Sequence, residues 1–265
     1  MLFSFVNNIF VLKMESFRYF VELAYEGSAY HGWQRQPNAT SVQQVLEDAF
    51  SKLTRESVSL MGAGRTDTGV HARQMFAHFD VKNEIKNSEE LVFLLNGFLQ
   101  DDISIKEIRA VQPTAHARFD AIERAYKYHI SMAKDPFNRQ LHYYLKKKPD
   151  VDLMNQAAKI LLLHQDFKCF SRSNTDVKTF LCDVKKAEWN QEGCSLTFYI
   201  SANRFLRNMV RAIVGTLLEV GYKKREVQEM DNLIKSKDRG QAGFSVPAHG
   251  LYLDRIEYPQ NIFIN

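Results

Sequence analysis

Along "FRYFVELAYEG" apolar residues recur at every second position, so Phe17, Tyr19, Val21, Leu23 and Tyr25 share one face before the run stops at Gly27. A period of two predicts a strand. The spacing then changes. In "TSVQQVLEDAFSKL", Val42, Val45, Leu46, Ala49, Phe50 and Leu53 fall at helical intervals, and Thr40 and Gln43 stand in capping-box spacing. "VSLMGA" and "QMFAHFDV" each predict a strand, "SEELVFLLNGFL" a helix and "ISIKEIRAVQ" a closing strand. The order β-α-β-β-α-β is that of the ferredoxin-like unit.

The pattern then repeats. "RAYKYHISM" predicts a strand and "VDLMNQAAKILLLH" a helix; "CDVKKAEW" and "CSLTFYIS" follow as two strands. "RFLRNMVRAIVGTLLEVG" predicts a helix and "GLYLDRIEY" a last strand, with a short strand near Tyr143 and a helix near 225–235 as additions. The expected fold class is therefore α/β (α+β): two similar ferredoxin-like, RRM-like halves that form a pseudo-symmetric sheet around a central cleft. The boundaries place an N-terminal domain at 14–120 and a C-terminal domain at 121–265. The apolar start, "MLFSFVNNIFVLK", lacks a basic segment and a small-residue cleavage site, and is set aside as an extension, 1–13.

Composition narrows the picture without redirecting it. The chain has 265 residues, 45% hydrophobic and 25% charged, ordinary for a soluble globular protein with a sizeable core. Net charge is +4, a weak pointer to a polyanion, so where the charge clusters matters more. Cys169, Cys182 and Cys194 form neither a close pair nor metal-ligand spacing, which reads as reduced core thiols and a cytoplasmic protein. No apolar run approaches membrane-spanning length.

The candidate chemistry begins in "GAGRTDTGVHA", residues 62–72. Gly62, Gly64 and Gly69 allow close approach of a ligand to Asp67, which Thr66 and Thr68 flank and Arg65 closely precedes. A carboxylate there can act as nucleophile, general base or ligand. It can equally be an Asx turn that bonds its own backbone. His71 and His78 have no partners at zinc-ligand spacing. If 204–221 is one helix, Arg204, Arg207 and Arg211 lie within an arc of roughly 60° opposite its apolar stripe. That row is either a solvated face or a grip for phosphates. On "RAYKYHISM", Tyr126 and Tyr128 share a face with Lys127 opposite, the pattern on which unstacked RNA bases lie, and also that of half-buried strand tyrosines. Arg35, beside Trp33 in "YHGWQRQP", is a further RNA-contact candidate or a plain surface turn.

Five segments in this order resemble the tRNA pseudouridine synthase A family: "YEGSAYHGWQRQPNATSVQQVLEDAF", "GAGRTDTGVHA", "ARFDAIERAYKY", "FLRNMVRAIVGTLLEVG" and "FSVPAHGLYL". The resemblance covers the chain from about Tyr19 to Tyr258. It implies an isomerase that turns uridine into pseudouridine at positions 38 to 40 of the tRNA anticodon stem-loop, with no cofactor or metal. It also implies a homodimer, no membrane attachment and tRNA in the central RNA-binding cleft. By the same resemblance Asp67 is the catalytic nucleophile, Tyr126 lies against the target base and Arg211 pairs with Asp67. Arg65, Arg35, Arg204 and Arg207 are expected to contact the RNA. The chain departs from the family at Thr68, where alanine is usual, and after "DFKCFSRSN", where a Thr-x-Arg segment is replaced by "TFLCDVKKAEW". Two readings from other classes remain open: a non-catalytic RNA chaperone, and a nucleoside glycosidase, for which no second acid stands in a matching motif.

Overall fold

The structure, a computed structural model, describes residues 16–172 and 177–264. The extension at 1–13 lies outside them, as do residues 173–176. The first half runs β1 (Phe17–Tyr25), α1 (Val42–Thr54), β2 (Met61–Gly62), β3 (His71–Val81), α2 (Ser88–Phe98) and β4 (Ile103–Ala110). The second runs β5 (Glu123–Ser131), β6 (Tyr143–Tyr144), α3 (Val151–Leu161), β7 (Val184–Glu192), β8 (Ser195–Ala202), α4 (Met209–Gly221), α5 (Glu229–Ser236) and β9 (Leu251–Glu257).

The strands form one mixed sheet in the order β4-β1-β3-β9-β5-β8-β7, with β2 added to β3 and β6 to β5. Each half taken alone has the same order, β4-β1-β3-β2 and β9-β5-β8-β7, as the repeated pattern predicts. The halves join where β3 and β9 pair in parallel, His71 with Tyr252 and Ala72 with Leu253. Farther along β3, Met61 and Gly62 of β2 pair with His78 and Ala77. Residues 63–70, which carry Asp67, therefore emerge at the seam between the halves.

Two cores back the sheet. In one, Leu46, Ala49 and Phe50 of α1 are fully buried against β1 and β3, with the Phe50 and Phe79 rings 4.8 Å apart. Each such ring contributes about 1.5–3 kcal/mol by leaving water. In the other, Tyr128, Phe198 and Ile200 pack under α3 and α4 against Met154, Leu161 and Leu217. Tyr126 and Tyr128 share the helix-covered face of β5. Tyr128 is wholly buried and donates to the Pro247 carbonyl at 2.8 Å, so it is a core residue; Tyr126 is half-buried.

The structure corrects four local expectations. The cap of α1 is Ser41, whose hydroxyl accepts from the Gln44 amide, rather than Thr40. Strand β2 shrinks to two residues because the Val58 and Leu60 amides donate to Ser51 Oγ and Glu47 Oε1 of α1 instead of to a neighbouring strand. Helix α4 begins only at Met209, since Asn208 takes a left-handed conformation, φ 68°, that a continuing helix excludes. Arg204 and Arg207 therefore precede the helix, and the three arginines do not form one helical face. Among the cysteines, Cys169 and Cys182 are buried but Cys194 is exposed, at the tip of the β7–β8 hairpin.

Candidate active site

The three glycines of the 62–70 turn have different causes. Gly62 lies against the buried Trp33 indole, where a Cβ would come within 2.5 Å of the ring. Gly69 has φ 76°, which favours glycine. Gly64 has nothing within 4 Å of where a Cβ would stand. Only Gly64 leaves open space, and it is three residues from Asp67.

The turn is anchored on both sides of the carboxylate. The Trp33 amide donates to the Thr66 carbonyl at 3.3 Å, and the Val70 amide to the Asp67 carbonyl at 3.1 Å. Thr66 Oγ1 bonds the buried Tyr25 hydroxyl at 2.9 Å. His71 Nδ1 accepts from the Gly27 amide at 2.9 Å, which leaves Nε2–H to donate to the His249 carbonyl at 3.0 Å. Burial holds the His71 pKa below its ordinary value, so the ring is a neutral structural tie. His78 Nδ1 accepts from the Ala117 amide in the same way. Among the described residues no group of side chains is arranged to hold a metal ion.

Asp67 is 26% exposed and carries a guanidinium near each oxygen: Arg211 Nη1 at 3.4 Å from Oδ2 and Arg207 Nε at 3.6 Å from Oδ1. Both are longer than a tight charged hydrogen bond, so the carboxylate is balanced but not locked. Arg211 is itself fixed, since its Nε donates to the Val246 carbonyl at 2.7 Å while the Val246 amide donates to the Arg211 carbonyl. The "FSVPAHG" segment thus braces the arginine and, through His249, the end of the Asp67 turn. The left-handed Asn208 re-aims the chain just before α4; its side-chain Nδ2 donates to Ser245 Oγ at 2.6 Å. Arg207 reaches Asp67 from outside the helix, something helical periodicity misses.

Tyr126 stands edge-on to Phe205, with centroids 5.0 Å apart and planes at 85°. Burial pushes its hydroxyl pKa up to about 12, with Arg124 opposing and Asp67 adding to the shift. The hydroxyl is therefore protonated at neutral pH, and Asp67 is near enough to act on it electrostatically. The other predicted arginines are placed differently. Arg65 is exposed and donates to Gln34 Oε1 at 3.2 Å, with no bond to Asp67. Arg35 pairs with the nearly buried Glu47 at 3.0 Å and so ties its turn to α1. Arg204 is half-buried, with no hydrogen bond or ion pair among the described residues. Trp33, the aromatic neighbour of Arg35, is only 2% exposed and supports the turn from below.

Sequence reasoning weighed His71 only as a metal ligand and Tyr25 only as a strand residue, and it passed over Arg124. Arg124 was within reach of the period-two pattern, because it precedes Tyr126 by two residues on the same face of β5. The seam thus gathers one carboxylate and two guanidiniums, with a half-buried tyrosine on β5, a set that can serve as nucleophile or general base.

A family model described as tRNA pseudouridine synthase matches residues 23–120 and 157–259. A tRNA pseudouridine synthase A of Parabacteroides distasonis is 50% identical over 246 residues, 93% of this chain and 98% of its own. One of Bacteroides fragilis is 49% identical over 93% of this chain and 98% of its own. A tRNA pseudouridine synthase A 2 of Clostridium perfringens is 38% identical over 89% and 97%.

Proposed function

The chain belongs to the tRNA pseudouridine synthase family, a family of isomerases, and from that premise we propose that it converts uridines at positions 38 to 40 of the tRNA anticodon stem-loop to pseudouridine, with Asp67 as nucleophile. The domain 14–120 brings Asp67 to the seam, and the domain 121–265 brings Tyr126 and Arg211. The observation that carries the reading is the loosely balanced Asp67, with Arg211 at 3.4 Å and Arg207 at 3.6 Å and within electrostatic reach of Tyr126.

The reaction is an isomerisation. The C1′–N1 bond breaks, uracil turns, C5 bonds to C1′, the C5 proton leaves and N1 gains one. Electrons balance without a redox partner. Asp67 attacks C1′ of the ribose or C6 of the ring, and Arg211 and Arg207 hold its charge in place. Tyr126 lies against the face of the detached uracil while it turns. The target base must leave its stem, at a cost of a few kcal/mol, offset by salt-sensitive contacts between basic side chains and the RNA backbone. Arg204 and Arg65, whose guanidiniums have no acidic partner among the described residues, are the candidates for those contacts, with Arg35 at the rim. The working unit is a cytoplasmic homodimer. Its location rests on the unpaired thiols, and no helix among the described residues is long and apolar enough to cross a membrane.

A stem-loop transcript tritiated at uridine C5 tests this reading. Release of tritium to water with no strand change supports isomerisation. Free uracil would instead mark a glycosidase, and binding without either product a chaperone.

A further inference from the structure

Arg124 is the most heavily engaged side chain near the seam, and it does not touch Asp67. Its Nη1 donates to the carbonyls of Asn203 at 3.0 Å and Ala121 at 3.2 Å. Its Nη2 donates to those of Arg118 at 2.6 Å and Ala63 at 3.1 Å. Four terminal N–H groups thus meet four carbonyls, and no carboxylate pairs with the guanidinium among the described residues. A planar fork can do this. A lysine, with three N–H groups on one nitrogen, cannot.

The carbonyls come from stretches that are otherwise tied each to its own half. The Ala63 amide donates to Phe76 of β3, and the Asn203 amide to Asp183, next to β7. Ala63 lies four residues before Asp67, and Asn203 four residues before Arg207. One rigid group therefore holds the root of the carboxylate turn and the root of the arginine segment, and the tips of these two arms meet at 3.6 Å.

We propose that Arg124 is a positioning residue for the isomerisation: its guanidinium sets the Asp67 turn against the 203–208 segment, so that Asp67 meets its arginines only when this clamp is intact. The inference rests on the reading of Asp67 as the reacting carboxylate. It does not place Arg124 on the substrate, and that separates it from a phosphate contact.

The test compares wild type, Arg124→Lys and Arg124→Gln in the tritium-release assay, at a temperature where circular dichroism shows all three folded. Displacement of a reacting group by about 1 Å costs on the order of a hundredfold. The clamp therefore predicts that kcat falls at least about tenfold in both variants. KM, RNA affinity and the slope of affinity against salt should stay within about twofold, since no phosphate contact is lost. In an Arg207→Met background the further loss from Arg124→Lys should shrink, because the two residues act through one geometry. Unchanged kcat would overturn the proposal. So would losses that simply multiply in the double variant, or a loss confined to RNA affinity with a lower salt slope. No tritium release by wild type would instead sink the underlying reading of the reaction.

Discussion

The two halves solve the same connection in opposite ways. Between β7 and β8 the chain turns in two residues, Gly193 and Cys194, and nine-residue β7 pairs along its length with β8. In the matching place of the first half, β2 keeps two residues and the connection lengthens to 63–70. The short hairpin serves the sheet. Here the chain gives up ladder hydrogen bonds: Val58 and Leu60, before β2, bond α1 instead, and the long turn takes a bond from Trp33 and frees a carboxylate at the seam. The repeated fold thus supplies two similar frames, and the departure from regular pairing in one of them is where the candidate site lies. The second half contributes partners, Tyr126, Arg207 and Arg211, through a strand, an irregular segment and a helix.

Substitutions can break this asymmetry, and the largest effect is expected where the halves touch. Arg211→Met removes one of the two charges on Asp67 and should lower kcat about a hundredfold, with far smaller change in RNA affinity. Single-turnover kinetics alongside filter binding would separate the two. Equal loss in both would make Arg211 a binding residue instead.

Next comes the support of the turn. Gly62→Ala forces the Trp33 ring to move and should cost about 2–3 kcal/mol in urea unfolding. A variant as stable as wild type would mean that Trp33 shifts freely.

Acid should weaken both halves alike. Burial pulls His78 in the first half and His129 in the second down to about 4, from an ordinary 6.5. The unfolded chain then binds more protons than the folded one between those values. Stability is therefore full above pH 6.5 and falls as pH drops toward 4, on the order of 2 kcal/mol per histidine. Urea midpoints at pH 7 and 4.5 check this; a flat profile contradicts it.

The smallest effects compare the two turns directly. Gly193 has φ 57°, so Gly193→Ala should cost about 1 kcal/mol and leave turnover unchanged. Gly64→Ala meets no neighbour and should leave stability unchanged within about 0.5 kcal/mol, while the proposed reading, in which the nucleotide enters by this open space, predicts a several-fold fall in RNA turnover. Loss of turnover in Gly193→Ala, or full turnover in Gly64→Ala, would undo the contrast.

Much of this was legible in the residues. Both β-α-β-β-α-β orders follow from apolar periodicity, because each strand and helix buries one face and writes that face into the chain. The turn at 62–72 was visible as an excess of glycine around one carboxylate. What stayed hidden was set by tertiary contacts. The left-handed Asn208, bonded to Ser245, ends the helical reading three residues before Arg211, so the 204–211 row looked like one face when Arg207 approaches Asp67 from a different element. Arg65 sits two residues from Asp67, yet its guanidinium turns to Gln34. Sequence proximity does not set side-chain direction in a loop. The three glycines looked alike, and only packing separates the one under Trp33 from the one that faces open space.

The most direct measurement follows Asp67 itself. A tRNA transcript with tritiated uridine at positions 38, 39 and 40 would be incubated with wild type and with Asp67→Asn, a nearly isosteric change that removes the charge. The predicted result is tritium release by wild type, at least about a thousandfold less from the variant, and comparable RNA binding by both. Wild-type turnover by Asp67→Asn would contradict the account.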